Sequence, residues 1–278
     1  MCTPEAVTLA LSEWTRRDIL NGAFGAAFAQ TVAKEAPAKP KRRTLGITYL
    51  QDLTHPLTPQ FPYIPIPGVT FPFAIEPIAT MAKNGVYANR WSLIEHIGTH
   101  IDAPSHFVAG QPHLDALRPA DLFVPIRVID VRESCRKNAD YAVTIDDVVA
   151  HEKKHGRLPQ NGAVFVNSGW GEKATDPKAF LGTDASGTLH FPGVAPETCA
   201  FLLAERNIAG IGIDTLSLDI GPDKKYTAHK VWFAGGKWAI ENIAELHKIP
   251  PSGATAIIGV PRVPLASGAP IRLLAAWD

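Results

Sequence analysis

Cysteine is scarce in this chain. Its three residues, Cys2, Cys135 and Cys199, are too few and too scattered for a disulfide framework or a cysteine metal site. Neither sign of charge dominates: 27 Lys and Arg balance 27 Asp and Glu, and the formal net charge is zero. That balance removes the electrostatic ground for a nucleic-acid or anionic-membrane partner. No apolar run reaches the roughly 20 residues of a membrane-spanning helix. Internal repeats are absent, and biased composition is confined to the N-terminal region. What is present is 278 residues, 46% of them hydrophobic and 19% charged, an ordinary balance for a globular enzyme of one large domain or two small ones.

The first 43 residues stand apart. Thr15-Arg-Arg-Asp-Ile-Leu20 precedes a weakly apolar run, Asn21-Gly-Ala-Phe-Gly-Ala-Ala-Phe-Ala29, then Ala36-Pro-Ala38 and the basic Lys39-Pro-Lys-Arg-Arg43. Paired arginines, a core richer in glycine and alanine than in leucine, and a small-x-small end resemble a twin-arginine export signal with its linker. An amphipathic first helix capped by Ser12 or Thr15 is the competing reading. Export would place the mature protein in the periplasm, with cleavage between Ala29 and Lys39. Without export the chain would be cytoplasmic.

From residue 44 onward the pattern is that of one domain. Residues 45–53 and 86–95 read as strands, and the proline-rich 54–77 between them as extended loop or edge structure. Short apolar runs at 125–131, 163–167, 208–214, 254–260 and 271–277 read as further strands. Residues 144–156 read as a helix, with Thr144 as N-cap, acids in the first turn, bases in the last and Gly156 at the end. A second helix spans 196–206, with proline in its first turn. The class is mixed α/β, with helices packed on a mixed sheet.

The stretch Glu95-His-Ile-Gly-Thr-His-Ile-Asp-Ala-Pro-Ser-His-Phe107 crowds three of the chain's ten histidines beside two carboxylates. A straight strand would hold His96 and His100 about 13 Å apart, too far for one ion. A regular helix would bring them together but turn Asp102 away. Gly98 permits a sharp bend and Pro104 ends any ladder. A bent segment can gather His96, His100 and Asp102 around one cation. Two imidazoles and a carboxylate suit zinc, manganese or iron(II), and do not suit calcium. The alternative, hydrogen-bonded core histidines, needs a separate partner for each buried polar group.

His96-Ile-Gly-Thr-His-Ile-Asp-Ala-Pro-Ser-His106 resembles the His-x-Gly-Thr-His-x-Asp-x-Pro-x-His signature of the cyclase family of metal-dependent hydrolases, which includes bacterial kynurenine formamidase and isatin hydrolase. Ile213-Asp-Thr-Leu-Ser-Leu-Asp219, Ala228-His229 before Ile240-Glu241-Asn242, and Ser267-Gly-Ala-Pro-Ile-Arg272 are similar to later family segments. The resemblance implies a layered β/β/α swivelling-domain fold over residues 44–278, assembled as a homodimer or homotetramer. It implies His96, His100 and Asp102 as metal ligands and His106 as the catalytic proton shuttle. His229 and Glu241 would complete a second site, giving one or two ions of Zn²⁺ or Mn²⁺ per chain. The implied activity is hydrolysis of an amide, lactam or ester of a small, aromatic substrate by water that the ion activates.

Three features depart from the family. The formamidase Pro-x-Trp-x-Gly-Asp segment is replaced by Gln60-Phe-Pro-Tyr-Ile-Pro-Ile-Pro67, Val166-Asn-Ser-Gly-Trp170 lacks a preceding arginine, and the leader is unusual for a cytoplasmic degradative enzyme. All three bear on the substrate and leave the metal chemistry intact. Phe61, Tyr63, Phe71, Phe73 and Trp91 are candidates for an aromatic pocket wall or for core. Thr215, Ser217 and Asp219 are candidates for orienting substrate or water. The other histidines lack such a context, and His151 and His155, flanked by lysines, read as solvated. Cyclisation or dehydration, a non-catalytic exported metal-binding protein, and a cysteine hydrolase on Cys135 or Cys199 are the rival readings.

Overall fold

Alternation along the strand Ala163–Asn167 shows where the layers lie. Ala163 and Phe165 join one apolar cluster while Val164 and Val166 join another, so the strand is covered on both faces. The computed structural model describes residues 46–278. The leader at 1–43 lies outside the described residues. In chain order the strands are β1 (Tyr49–Asp52), β2 (Ala74–Ala79), β3 (Ala88–Ser92), β4 (His100–Asp102), β5 (Phe123–Asp130), β6 (Ala142–Val143), β7 (Ala163–Asn167), β8 (Gly193–Val194), β9 (Gly210–Ile213), β10 (Trp238–Glu241), β11 (Ser252–Gly259), β12 (Gly268–Pro270) and β13 (Arg272–Trp277). The helices are α1 (Met81–Asn84), α2 (Arg132–Lys137), α3 (Ile145–His155), α4 (Pro177–Leu181), α5 (Pro196–Phe201) and α6 (Thr227–Ala234).

Nine strands form one mixed sheet in the order β1-β13-β11-β5-β7-β9-β10-β4-β12. The central β5, β7, β9 and β10 are parallel, and antiparallel strands extend both ends. One face carries α3, α5 and α6, whose Val148, Cys199, Trp232 and Phe233, with Leu202 just beyond α5, cover Val164, Val166, Ile211 and Ile213. On the other face Ile126, Phe165, Trp238, Ile240, Ala256 and Leu273 close a second core with Leu53, Leu246 and Ile249. This is the mixed α/β class the sequence indicated. β2 and β3 pair only with each other, leaving Ile75, Ile78 and Trp91 exposed. Among the described residues, no helix is long and apolar enough to cross a membrane.

Helix α3 is capped as the sequence suggested. Thr144 accepts from the Asp147 N–H, and Asp147 returns a bond to the Thr144 N–H at 2.8 Å. Helix α5 continues into a π turn over Leu202–Arg206. The short strands β4, β10 and β12 and helix α6 are additions to the sequence reading. Between them they hold the residues on which function turns.

Candidate metal centre and its cavity

Gly98 adopts φ +67°, a left-handed conformation that costs glycine little, and the chain bends there. Strand β4 follows the bend at once and ends at Asp102, and Pro104 opens a single 3₁₀ turn that carries His106. β4 lies between β10 and β12. Glu241 pairs with His100 and Ala239 with Asp102 on one side, and Gly268 pairs with Asp102 on the other. Residues two apart on a strand, and residues directly paired across strands, share a face. His100, Asp102 and Glu241 therefore project together onto the helix-bearing face, while Ile101 and Ile240 enter the opposite core.

Helix α6 delivers the next ligand candidate. Its first turn is capped from a distance: the Asp219 carboxylate accepts from the Ala228 N–H at 2.5 Å and also bonds Nδ1 of His229. His229 Nε2 then faces Glu241 Oε1 at 2.9 Å and Asp102 Oδ2 at 3.6 Å. His100 donates Nδ1–H to the Gly98 carbonyl at 2.9 Å, so its Nε2 is left to point between Asp102 and Glu241, at 3.3 and 3.4 Å. His96 Nδ1 approaches Asp102 Oδ1 at 2.6 Å. The His106 ring stacks on His96 with centroids 3.7 Å apart.

Donor atoms of His100, Asp102 and Glu241 lie within 4.8 Å of one another, and so do those of His96, Asp102 and His106. Asp102 belongs to both sets. The bend thus gathers the residues the sequence singled out, but places His96 and His100 in different triplets. Their rings meet edge to face at 5.4 Å.

Asp102, Asp219 and Glu241 are all at most 5% exposed, and three carboxylates at that depth require positive charge. Burial alone would lower His100, but Asp102 and Glu241 raise it to about 10. His229 is likewise disfavoured as a cation by burial, yet Asp102, Asp219 and Glu241 carry it well above its ordinary value. Burial would raise the Asp102 carboxyl, but His96 and His100 hold it well below the usual range. His100 Nε2 and Asp102 Oδ2 are buried without a hydrogen-bond partner. Orphaned donor atoms on a nitrogen and a carboxylate, aimed at one spot, suit a divalent cation. His106 is different: burial pushes it down to about 4, so it is neutral near neutral pH.

Above the centre opens a cavity of about 510 Å³. His96, His100, His106, His229 and Glu241 line its floor, and Tyr63, Ile64, Phe71, Phe107, Leu216 and Tyr226 its walls. Tyr63 and Phe71 thus serve as the wall that sequence reasoning offered. Phe61 and Phe73 do not: they are core, buried with Ile97. Trp91 is 67% exposed on β3, away from the lining. Ser217 lines the cavity, whereas Thr215 is buried on the Ser217 carbonyl and Asp219 serves His229 instead of substrate. Phe107 and Tyr226 were missed, although Phe107 directly follows His106 and Tyr226 lies three residues before His229. His151, read as solvated, is only 8% exposed. Cys135 and Cys199 are buried, and burial pushes the Cys135 thiol up to about 12, which removes a cysteine nucleophile from consideration.

The model of the Cyclase family matches residues 51–220 of this chain. The chain belongs to the Cyclase family. The match spans the whole histidine-rich motif, and His229 and Glu241 follow beyond it. This Cyclase member is 30% identical over 244 residues to isatin hydrolase of Roseibium aggregatum, covering 83% of this chain and 92% of that protein. It is 28% identical over 193 residues to kynurenine formamidase of Polaromonas naphthalenivorans, covering 68% and 74%. A crystal structure of an isatin hydrolase bound to the product analogue thioisatinate superimposes with a TM-score of 0.76 at 26% identity, covering 94% of this chain and 98% of that one.

Proposed function

We propose that this Cyclase member is a metal-dependent hydrolase that opens a C–N bond, amide or lactam, in a small aromatic substrate. One observation carries the reading: orphaned His and Asp donor atoms converge on the floor of a cavity whose walls are aromatic and aliphatic. A divalent ion supplies Lewis acidity to a water nucleophile and to the carbonyl it attacks. His100, Asp102, Glu241 and His229 would hold that ion, with zinc or manganese the metals suited to such donors. His96 offers a further imidazole beside Asp102, which is where a second ion would sit. His106, neutral and facing the cavity, takes the proton of the attacking water and returns it to the leaving nitrogen.

The lining favours a neutral ring over an amino acid. Among the described residues that line the cavity there is no lysine or arginine, so above the metal floor an α-carboxylate would find no lysine or arginine side chain to pair with. This supports a cyclic amide of the isatin type, as the relatives named isatin hydrolase suggest, above the formyl amino acid cleaved by a kynurenine formamidase. The test is metal analysis of the purified protein followed by a panel of isatins, N-formyl aromatic amines and lactones, with zinc or manganese added. Metal-dependent opening of the lactam is expected. Full turnover of any of them by metal-free protein would overturn the reading.

We further propose that the protein is exported and works as a homodimer or homotetramer. The exposed apolar side chains of β2 and β3 support assembly, and light scattering on the purified protein tests it. Arg16→Lys with Arg17→Lys should retain the precursor in the cytoplasm, as read by cell fractionation. Unchanged periplasmic recovery would exclude twin-arginine export.

A further inference from the structure

Three histidines of the centre turn one ring nitrogen inward and secure the other. His100 secures Nδ1 on the Gly98 carbonyl, and His229 secures Nδ1 on Asp219. His96 is reversed. Its Nδ1 faces Asp102, and its Nε2 faces Ser267 Oγ at 3.0 Å. Nothing in the family motif assigns a role to Ser267 or to Glu95.

The hydrogen-bond inventory around Ser267 decides the direction of each bond. Its Oγ donates to Glu95 Oε2 at 2.6 Å, and its backbone N–H donates to the same oxygen at 2.9 Å. A hydroxyl that has committed its only proton to a carboxylate has lone pairs alone to offer. Ser267 Oγ must therefore accept from His96, so Nε2 carries the ring proton and Nδ1 carries the lone pair. That lone pair meets the Asp102 carboxylate at 2.6 Å, a contact between two acceptors that requires a cation, either a proton or a metal ion. The ring has little freedom to turn over. It packs so closely over the Gly268 backbone that a side chain there would have no room, and the His106 ring stacks on its face.

We propose that Ser267 and Glu95 are positioning residues, a hydroxyl–carboxylate pair that fixes His96 as the Nε2–H tautomer and so sets its strength as a metal ligand. The proposal rests on the metal-dependent reading above. A carboxylate behind the hydroxyl makes Oγ a better acceptor, which raises the electron density left on Nδ1. The β12 side of the sheet thus takes part in the centre although it contributes no ligand.

The test measures metal binding by the otherwise intact protein, stripped of metal and titrated with zinc alone and manganese alone against a chelator of known affinity. Ser267→Ala should weaken binding about 10–100-fold, the usual effect of removing a ligand's hydrogen-bond partner. Ser267→Thr, which restores the hydroxyl, should bind within about threefold of the parent, and Glu95→Gln should fall between the two. Glu95 has a side chain 45% exposed, so its substitution decides the matter even where Ser267→Ala folds poorly. Histidine ¹⁵N spectra of the zinc-loaded protein, with His96 assigned by its loss in His96→Gln, should show Nε2–H in the parent and lose that signature in Ser267→Ala. Parent-like affinity in both Ser267→Ala and Glu95→Gln, with none left in His100→Ala, would overturn the relay and leave the metal reading standing. Equal losses in Ser267→Ala and Ser267→Thr with none in Glu95→Gln would mark a packing role and overturn it too. A parent protein that takes up neither metal would overturn both.

Discussion

His106 stands next to His96 and Asp102 and is neutral near neutral pH, which equips it either to move a proton or to bind an ion. The two roles separate experimentally. As the proton shuttle, His106→Ala should lower the rate about 10²–10⁴-fold while the metal count holds. Glu241→Gln should instead remove metal from the His100 triplet, and turnover with it. Elemental analysis beside turnover distinguishes them, and an emptied centre in His106→Ala would make it a ligand. Gly268→Ala is a sharper probe of the backbone. The new methyl would press on both His96 and the Ile101 carbonyl, at 2.5 and 2.7 Å, so β12 must shift from β4. A stability loss of about 1–3 kcal/mol is expected, with weakened metal binding, measured by thermal melts and chelator competition. At this scale the residue types and their gathering by Gly98 were legible in the spacing. Which ring nitrogen faces inward was not, because that depends on the Gly98 carbonyl, Asp219 and Ser267, partners the spacing does not name.

Elements differ in how openly the sequence announces them. β7 was legible to the residue because burial on both faces leaves an unbroken apolar run, and α3 because its capping box is local. β4 and β12 have three residues each, too few to display a period. Helix α6 starts after Tyr226 at φ 54° with no cap of its own, its carboxylate coming from Asp219. His151 shows the limit of judging exposure from neighbours. Lysines follow it in sequence, but the helix turns it toward the sheet. Burial lowers its pKa from 6.5 to about 4. Below pH 6.5 the unfolded chain takes up a proton that the folded chain refuses, so this contribution is complete above 6.5 and is lost as pH falls toward 4. His151→Leu should therefore lose less stability than the parent between about pH 7 and about pH 5. Denaturant midpoints at the two pH values check it, and equal losses would mean that His151 is protonated in the fold.

For the whole molecule, the fold class was legible from alternating strand and helix patterns, while the pocket was legible only in part, through Tyr63 and Phe71. Its walls come from the proline-rich loop, from Phe107 and from the segments carrying Leu216 and Tyr226, far apart in sequence. The same remoteness governs when the centre can exist during folding. β4 near residue 100 finds its partners only at β10 and β12, so its two pairings close loops of well over a hundred residues. Such closures come late and slowly, because chain entropy is spent before the contacts form. A metal bound there should then act as a latch set after the barrier. Zinc should leave the refolding rate unchanged and slow unfolding, so that bound metal gives the protein persistence in time more than speed of formation. Stopped-flow refolding and unfolding with zinc and with chelator measure both arms. Faster refolding with zinc would place the centre inside the folding nucleus.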